Sequence, residues 1–471
     1  MVHLFTFAQD RLAFDSESGA LYLLDEVSYA VLEALIAADS QDLKRIELPE
    51  LATRFGETAV HEALIEISQL IENGSMFAPT QEVSLEQLYP EKPLIKSMCL
   101  HISHDCNLRC RYCFAGTGDF GTGKRSMLTE ETGRKAIDWL IAGSGSRRNL
   151  DIDFFGGEPL INWPVVVALT HYAEEAGSKA GKNIRLTITT NAIQLDAEKT
   201  AFINEHMKNC VLSIDGRPEV HDRMRPDAGG KGSYERVMNS IRNFIAERGD
   251  KEYYARGTFT RHNLDFAADV MHLADQGIDQ ISLEPVVAAA GCGYELRQED
   301  VPAILAEYEK LALDYAARRE AGKPFNFFHF MIDTDHGPCA YKRLKGCGVG
   351  SEYCAVTPDG DIYPCHQFVG QEEFCLGNVH TEPVMLDADL TVAFSKLMVP
   401  NKPDCQNCWS RYFCSGGCAA NAYAATGRID SLHKISCELQ KKRLECALWL
   451  KVRAAQQDEA TEKAVKIEEQ A

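Results

Sequence analysis

Residues 98–114 read MCLHISHDCNLRCRYCF, an apolar run of strand length that ends in Cys106-x3-Cys110-x2-Cys113. Three thiolates on one tight loop can hold three irons of a cubane iron–sulfur cluster and leave the fourth iron without a protein ligand. An open coordination position is what a Lewis-acid or redox centre requires. The spacing by itself leaves other readings standing. His101 and His104 are close enough in sequence to complete a zinc site, and the thiols could simply be buried.

Outward from this stretch the chain alternates. Apolar runs at 98–103, 150–155, 184–190, 211–215, 254–260 and 280–283 are separated by helical patterns at 130–142, 164–176, 197–208, 234–247, 265–276 and 301–317. Six β-α repeats imply an α/β fold with a parallel sheet, a partial (β/α)6 barrel over residues 97–320. Chemistry in such barrels sits at the C-terminal ends of the strands. Gly156-Gly157-Glu158-Pro159 closes the second strand, Thr189-Thr190-Asn191 the third, and Ser213-Ile214-Asp215-Gly216 the fourth. Glycines admit close backbone approach to a ligand, and a glutamate can pair with an ammonium. Each motif alone also fits an ordinary β-α turn.

Residues 1–80 read as a separate module. Strand-like stretches at 4–7 and 20–24 flank the turn-like DSESG, and helical patterns follow at 27–38 and 58–72, a winged-helix-like order. Residues 81–96 read as a Pro-containing acidic linker. Residues 330–440 lose the β-α rhythm and are rich in Cys, Gly and aromatics, so they need metals or staples to hold together. Residues 441–471 carry the end of a helix expected over 436–453 and a polar tail.

Length and composition set the bounds. A chain of 471 residues implies two or three domains. It has 17 cysteines, most of them within 106–113 and 339–437, and the first residues lack a basic stretch followed by an apolar core. That combination places it in the reducing cytoplasm with metal-binding thiols. No apolar run reaches about 18 residues, so no membrane span is expected. A net charge of −20 argues against nucleic acid as a partner.

The Cys106/Cys110/Cys113 spacing, with Tyr112 before the last cysteine and a barrel behind it, resembles the signature of the radical S-adenosylmethionine (SAM) superfamily. The resemblance covers about residues 97–320. It implies that the open iron chelates SAM and that the reduced cluster splits it to a 5′-deoxyadenosyl radical. It implies SAM contacts from Tyr112, Gly156, Gly157, Glu158, Pro159, Asn191, Ser213 and Asp215. Within His221-Asp222-Arg223-Met224-Arg225 it implies that Arg225 meets the SAM carboxylate.

The second cysteine group resembles the SPASM domain of peptide-modifying radical SAM enzymes. The bland alternative is a zinc ribbon, but the count exceeds the four ligands of one zinc. The resemblance implies two auxiliary 4Fe–4S clusters beside the SAM-binding one. Cys405, Cys408, Cys414 and Cys437 would hold one. Cys347, Cys365 and Cys418 would hold three irons of the other, with Cys339, Cys354 or a substrate thiolate as fourth ligand. Cys99, Cys210, Cys292, Cys375 and Cys446 read as structural.

In order, the chain looks like a RiPP recognition element, a radical SAM barrel and a SPASM domain. RiPP denotes a ribosomally made, post-translationally modified peptide. HLFTFAQDRLAFDSESGALYLLDEVSYAVLEAL, CNLRCRYCFAGTGDFGTGKRSML, DIDFFGGEPL and AVTPDGDIYPCHQFVGQEEF resemble the thioether-forming maturases of SCIFF peptides. The resemblance implies a Cys-rich precursor peptide bound through its leader by strand addition on residues 1–80. It also implies an electron donor such as flavodoxin or ferredoxin. Two rivals are an anaerobic sulfatase-maturing, formylglycine-forming enzyme and a non-catalytic iron–sulfur peptide-binding or electron-transfer protein.

Overall fold

The computed structural model describes residues 1–38, 47–80, 83–84, 88, 94–334 and 340–468. Most of the expected linker 81–96, and Cys339, lie outside the described residues.

At the N-terminus, β1 (Val2–Phe7), β2 (Asp10–Asp15) and β3 (Leu21–Leu24) form an antiparallel sheet in the order β1-β2-β3. The middle strand was not expected. Phe7 pairs with Asp10 across the two-residue turn Ala8–Gln9. Ala8 takes φ 52°, a conformation usually signalled by Asn or Gly, so the turn is silent in the sequence. Helices Glu26–Ala37, Pro49–Phe55 and Glu57–Glu72 follow. Val31, Leu32, Leu35, Val60 and Ile67 pack with Ala13 into a core of their own. Phe5, Phe7, Leu12 and Phe14 instead join the main core. Phe7 stacks on Trp449 with ring centroids 4.3 Å apart, and the Trp449 indole donates to Asp10 Oδ2 at 2.8 Å. The His3 ring stacks on Trp409 at 3.7 Å. The module is thus pinned to the far C-terminal part of the chain.

The six expected parallel strands are β4 (Ser97–Ser103), β5 (Asn149–Gly156), β6 (Asn183–Thr190), β7 (Asn209–Ser213), β8 (Glu252–Phe259) and β9 (Gln280–Pro285). They lie side by side in sequence order, with β10 (Asn326–Phe327) beyond β9. The crossover helices are Glu130–Gly143, Trp163–Lys179, Ala197–His206, Tyr234–Arg248, Phe266–Asp275 and Val301–Glu320. Local chemistry sets their starts. The Thr129 hydroxyl accepts from Thr132 N, and the Asp196 carboxylate accepts from Lys199 N. Gly133, Ala136, Ile137 and Leu140 form the buried stripe of the first crossover helix.

The sheet does not stop at β4. The Cys-rich segment contributes β11 (Tyr353–Val356), parallel to β4, and then β12 (Asp361–Tyr363) and β13 (Gly377–Asn378), both antiparallel. Flanked by β5 and β11, β4 is buried from Met98 to Ser103, which is why it reads as a continuous apolar run. Stitching β11 to β4 fixes the second cysteine group beside the first. The last helix, Lys434–Glu468, runs well past the expected 453. Its Ala-, Glu- and Lys-rich continuation is made of strong helix formers. No helix among the described residues is long and apolar enough to cross a membrane.

Candidate active site

The loop after β4 carries Cys106, Cys110 and Cys113, and backbone bonds clamp it on two sides. Gly157 N donates to Ser103 O at 2.8 Å, and Glu158 N to Asp105 O at 2.9 Å. Arg109 N donates to Pro226 O and Arg111 N to Met224 O, each at 2.8 Å. The two glycines make the first clamp possible. A Cβ on Gly156, whose φ is +122°, would lie 2.3 Å from Ser103 O. One on Gly157 would lie 2.2 Å from Asp105 O and 3.0 Å from Gly118 Cα. Gly157→Ala is therefore expected to destabilise the fold by about 1–3 kcal/mol and to displace the cysteine loop. Denaturant titration and iron content check this.

The three thiols open into one cavity of about 680 Å³. As free thiols, burial pushes Cys106 up to about 12 and Cys110 to about 11, with the Arg225 charge opposing it at Cys110. They stay protonated until a metal displaces the proton. Asn191 and Ser213 also line the cavity. Asn191 Nδ2 donates to Asn107 Oδ1 at 2.7 Å and reaches Cys106 Sγ at 3.6 Å.

Tyr112, Asp215 and Arg225 form one unit. The Tyr112 hydroxyl lies 2.8 and 2.7 Å from the two Asp215 oxygens, and Arg225 Nη1 donates to it at 2.9 Å. Asp215 Oδ1 also accepts from Thr258 N at 3.1 Å. Tyr112 and Arg225 line the cavity, while Asp215 is fully buried behind them. Arg225 Nε is buried without a partner.

Glu158 is placed differently from the sequence expectation. It is fully buried, and its carboxylate accepts from Leu160 N at 3.0 Å, Thr190 Oγ1 at 2.7 Å and Asn191 N at 2.7 Å. Its oxygens are consumed in ordering the ends of β5 and β6, so the backbone of the Gly-Gly turn, not this side chain, faces the cavity. Pro159 is buried with it. Asp215 likewise acts through its neighbours.

The second cysteine group resolves into two sets. After burial, the Cys418 charge raises both Cys347 and Cys365. Likewise Cys414, Cys405 and Cys408 raise Cys437, which burial pushes to about 11. Cys414, Cys418 and Cys437 line the same cavity as Cys106, Cys110 and Cys113. Cys354 does not join either set. It lies in β11, fully buried, and burial alone raises it to about 12. The Cys375 thiol donates to Gly377 O at 3.5 Å.

The zinc alternative fails on spacing. A single zinc with Zn–S bonds of about 2.3 Å holds its sulfurs about 3.8 Å apart. Among the described residues, the group of three or more ligand atoms mutually within 4.8 Å is His171, Glu174 and His206, on outer helices. No three cysteine sulfurs among the described residues meet that limit, and a cubane, with one thiolate per iron corner, does not require it. His101 and His104 pair with each other at 3.0 Å and lie outside the cavity.

Several cavity residues carried no sequence motif. Glu284 ends β9 and meets Arg443 of the last helix at 3.3 Å. His329 Nδ1 lies 2.9 Å from Arg443 Nη1. Asp153 and Phe155 face inward from β5, and Arg256 from β8. Alternation along DIDFF could have pointed to Asp153. Nothing local points to Arg443.

Residues 100–255 match the model of the radical SAM superfamily, and residues 347–409 match SPASM, an iron–sulfur cluster-binding domain. Fold, thiol sets and these matches define an α/β protein with a radical SAM domain followed by a C-terminal SPASM domain. SAM and 4Fe–4S clusters are the cofactors these domains imply, and the residues present fit them: a glycine cradle, a wide thiol triad and an unpartnered Arg225 Nε. Among individual proteins, the chain is 26% identical to the mycofactocin maturase MftC of Mycobacterium ulcerans over 70% of this chain and 85% of that one. It superposes on anSMEcpe with bound AdoMet and the Cp18Cys peptide at TM-score 0.62, with 19% identity, covering 77% of this chain and 99% of that one. It superposes on Streptococcus suis SuiB bound to S-adenosylmethionine at TM-score 0.52, with 16% identity, covering 92% and 97%. SuiB with its precursor peptide SuiA aligns at 0.50, with 16% identity over 90% and 96%.

Proposed function

We propose that this chain is a maturase that installs intramolecular thioether cross-links in a Cys-rich ribosomal precursor peptide. The observation that carries the reading is the single cavity of about 680 Å³ shared by Cys106, Cys110 and Cys113 with Cys414, Cys418 and Cys437. A radical source and a second metal-binding thiol set facing one space suit a peptide segment held between them. Bound SAM and the reduced cluster supply hydrogen-abstracting radical chemistry.

The chain's own residues bind and position. Cys106, Cys110 and Cys113 hold the SAM-site cluster, while Arg225, Asn191, Ser213 and the Gly156–Gly157 backbone hold SAM. Cys405, Cys408, Cys414 and Cys437 hold one auxiliary cluster. Cys347, Cys365 and Cys418 would hold three irons of another, and a substrate thiolate would complete it and so be oriented. The N-terminal module grips the leader at β1 or β3, the sheet's two edge strands. Two features support this role: the module is pinned by Trp449 and Trp409 to the elements that line the cavity, and the superposition covers a larger share of this chain with SuiB than with anSMEcpe. Electrons come from a flavodoxin- or ferredoxin-type donor.

The test is anaerobic reconstitution with SAM, dithionite and a short Cys-rich precursor peptide of the SCIFF type, followed by tandem mass spectrometry. The expected product loses a pair of hydrogens per cross-link and has thiols that no longer alkylate. Formylglycine in the product, or absence of 5′-deoxyadenosine, overturns the reading.

A further inference from the structure

The carboxylates around the cavity divide sharply by how well they are partnered. Glu158 accepts three hydrogen bonds at 2.7–3.0 Å. Asp215 has Tyr112 and Thr258 as donors, with Arg225 3.6 Å away. Glu284 is held by Arg443 at 3.3 Å, with Arg256 at 3.9 Å. Asp153 stands apart. It lines the cavity from the middle of β5, and its donor among the described residues is the Thr189 hydroxyl, at 3.2 and 3.3 Å. The guanidinium of Arg256, on the cavity wall beside it, forms its ion pair with Glu284 instead.

An under-bonded carboxylate on a cavity wall has capacity left for a proton. The thioether reaction requires such a place. Joining a thiol to carbon removes one hydrogen atom from carbon and one proton from sulfur. We propose that Asp153 accepts the substrate thiol proton in the cross-linking step, an assignment that rests on the thioether reading above. The C–H hydrogen leaves as an atom to the SAM-derived carbon radical, and the S–H proton passes to the Asp153 carboxylate. The C–S bond forms, and the one remaining electron passes to an iron–sulfur cluster as one-electron acceptor.

The electrostatics agree with the geometry. Burial, opposed by Thr189 and Arg256, moves the Asp153 carboxyl from 3.8 up to about 7. Glu284 moves the other way: His329, Arg443 and Arg256 together outweigh its burial. Two carboxylates in one cavity with pKa values pushed apart mark distinct proton-handling roles. The titratable groups around Asp153 do not titrate in the same range: burial lowers His366 on the cavity wall to about 4. Burial raises Cys99 on β4 and Tyr353 on β11 well above their usual values, and raises Cys210 on β7 to about 12.

The experiment compares the reconstituted wild-type chain with Asp153→Asn and Asp153→Glu, using the same SCIFF-type Cys-rich peptide across pH 5.5–8.5. In the wild type, cross-linking is expected to rise with pH through about 7, as the carboxyl loses its proton. In Asp153→Asn the rate is expected to fall about 10²-fold or more, with the acid limb gone and more 5′-deoxyadenosine spent per cross-link. Asp153→Glu should recover part of the rate. Infrared difference spectra should show a protonated-carboxyl band that titrates near neutrality in the wild type and is missing in Asp153→Asn. Cross-linking by Asp153→Asn within a few-fold of wild type, or with the acid limb kept, overturns the proposal, as does an infrared band unchanged by the substitution. If Asp153→Asn loses iron, the Asp153→Glu profile decides: a displaced acid limb supports the assignment and an undisplaced one overturns it. A wild-type chain that leaves the peptide uncross-linked overturns the thioether reading itself, and with it the role given to Asp153.

Discussion

Cys110→Ala is expected to abolish reductive SAM cleavage, down to the level of the iron-free protein, and to remove the iron bound at the first thiol set. In the proposed site three thiolates would hold three corners of a cubane, so losing one leaves a corner without its ligand. His101 and His104, the nearest candidates in sequence, bond to each other at 3.0 Å outside the cavity. Cys110 is also where the site's positive charge is felt, because Arg225 opposes the effect of burial there. Loss of this thiolate removes the partner of that charge as well. Iron analysis, the SAM-dependent change in the cluster's electron paramagnetic resonance signal and 5′-deoxyadenosine yield measure the effect. The matched control is Cys354→Ala. Cys354 is fully buried in β11 with no thiol among the groups that shift it, so that variant is expected to retain its iron.

Arg225→Met is expected to cost about 3–5 kcal/mol of stability at pH 8, because it leaves a buried carboxylate without its cation. Arg225 is 7% exposed and Asp215 fully buried, so solvent cannot take over the pairing. The Tyr112 hydroxyl, which accepts from Arg225 and lies against both Asp215 oxygens, would lose its orientation as well. The pH dependence has a defined sign. Burial, the largest influence, raises the Asp215 pKa above its usual value, and the Arg225 charge opposes it. Without Arg225 the folded-state value rises further. A group raised on folding favours the folded state when protonated, and that contribution is lost as pH rises through the folded value. The penalty for Arg225→Met should therefore be largest at pH 8 and shrink as pH falls toward 5. Denaturant titrations of both proteins at the two pH values test this. A penalty independent of pH would mean that Arg225 acts through packing rather than charge.

Much of the architecture is legible in local pattern. The six parallel strands, their crossover helices and the placement of the motifs at strand ends follow from apolar runs of strand length alternating with 3.6-residue periodicity. The first thiol triad is legible because its spacing keeps three cysteines on one loop, whereas the division of the later cysteines into two sets is what the resemblance to SPASM domains implies. Other features left no such trace. The hairpin that creates β2 turns at Ala8 and Gln9, without the Asn or Gly that normally mark a two-residue turn. The strands β11 to β13 are only two to four residues long, too short for a periodic signal, yet they extend the barrel sheet. Glu158 looks like a ligand in sequence, but the direction of its side chain depends on Thr190 and Asn191, one strand away.

By itself the sequence determined the parallel α/β scaffold and the position of the first thiol triad after β4. These depend on periodicity and short-range spacing, which are properties of neighbouring residues. Only the tertiary structure decided which of these groups share a space. Pairing of β11 with β4 sets the auxiliary cysteines against the SAM-site loop, and the last helix brings Arg443 to Glu284 across a separation of 159 residues. It also left Asp153 with the Thr189 hydroxyl as its donor among the described residues while giving Glu158 three donors and Asp215 two. Whether a buried carboxylate is a scaffold or a proton acceptor depends on donors from other strands, and the packing of those strands is a property of the folded chain alone.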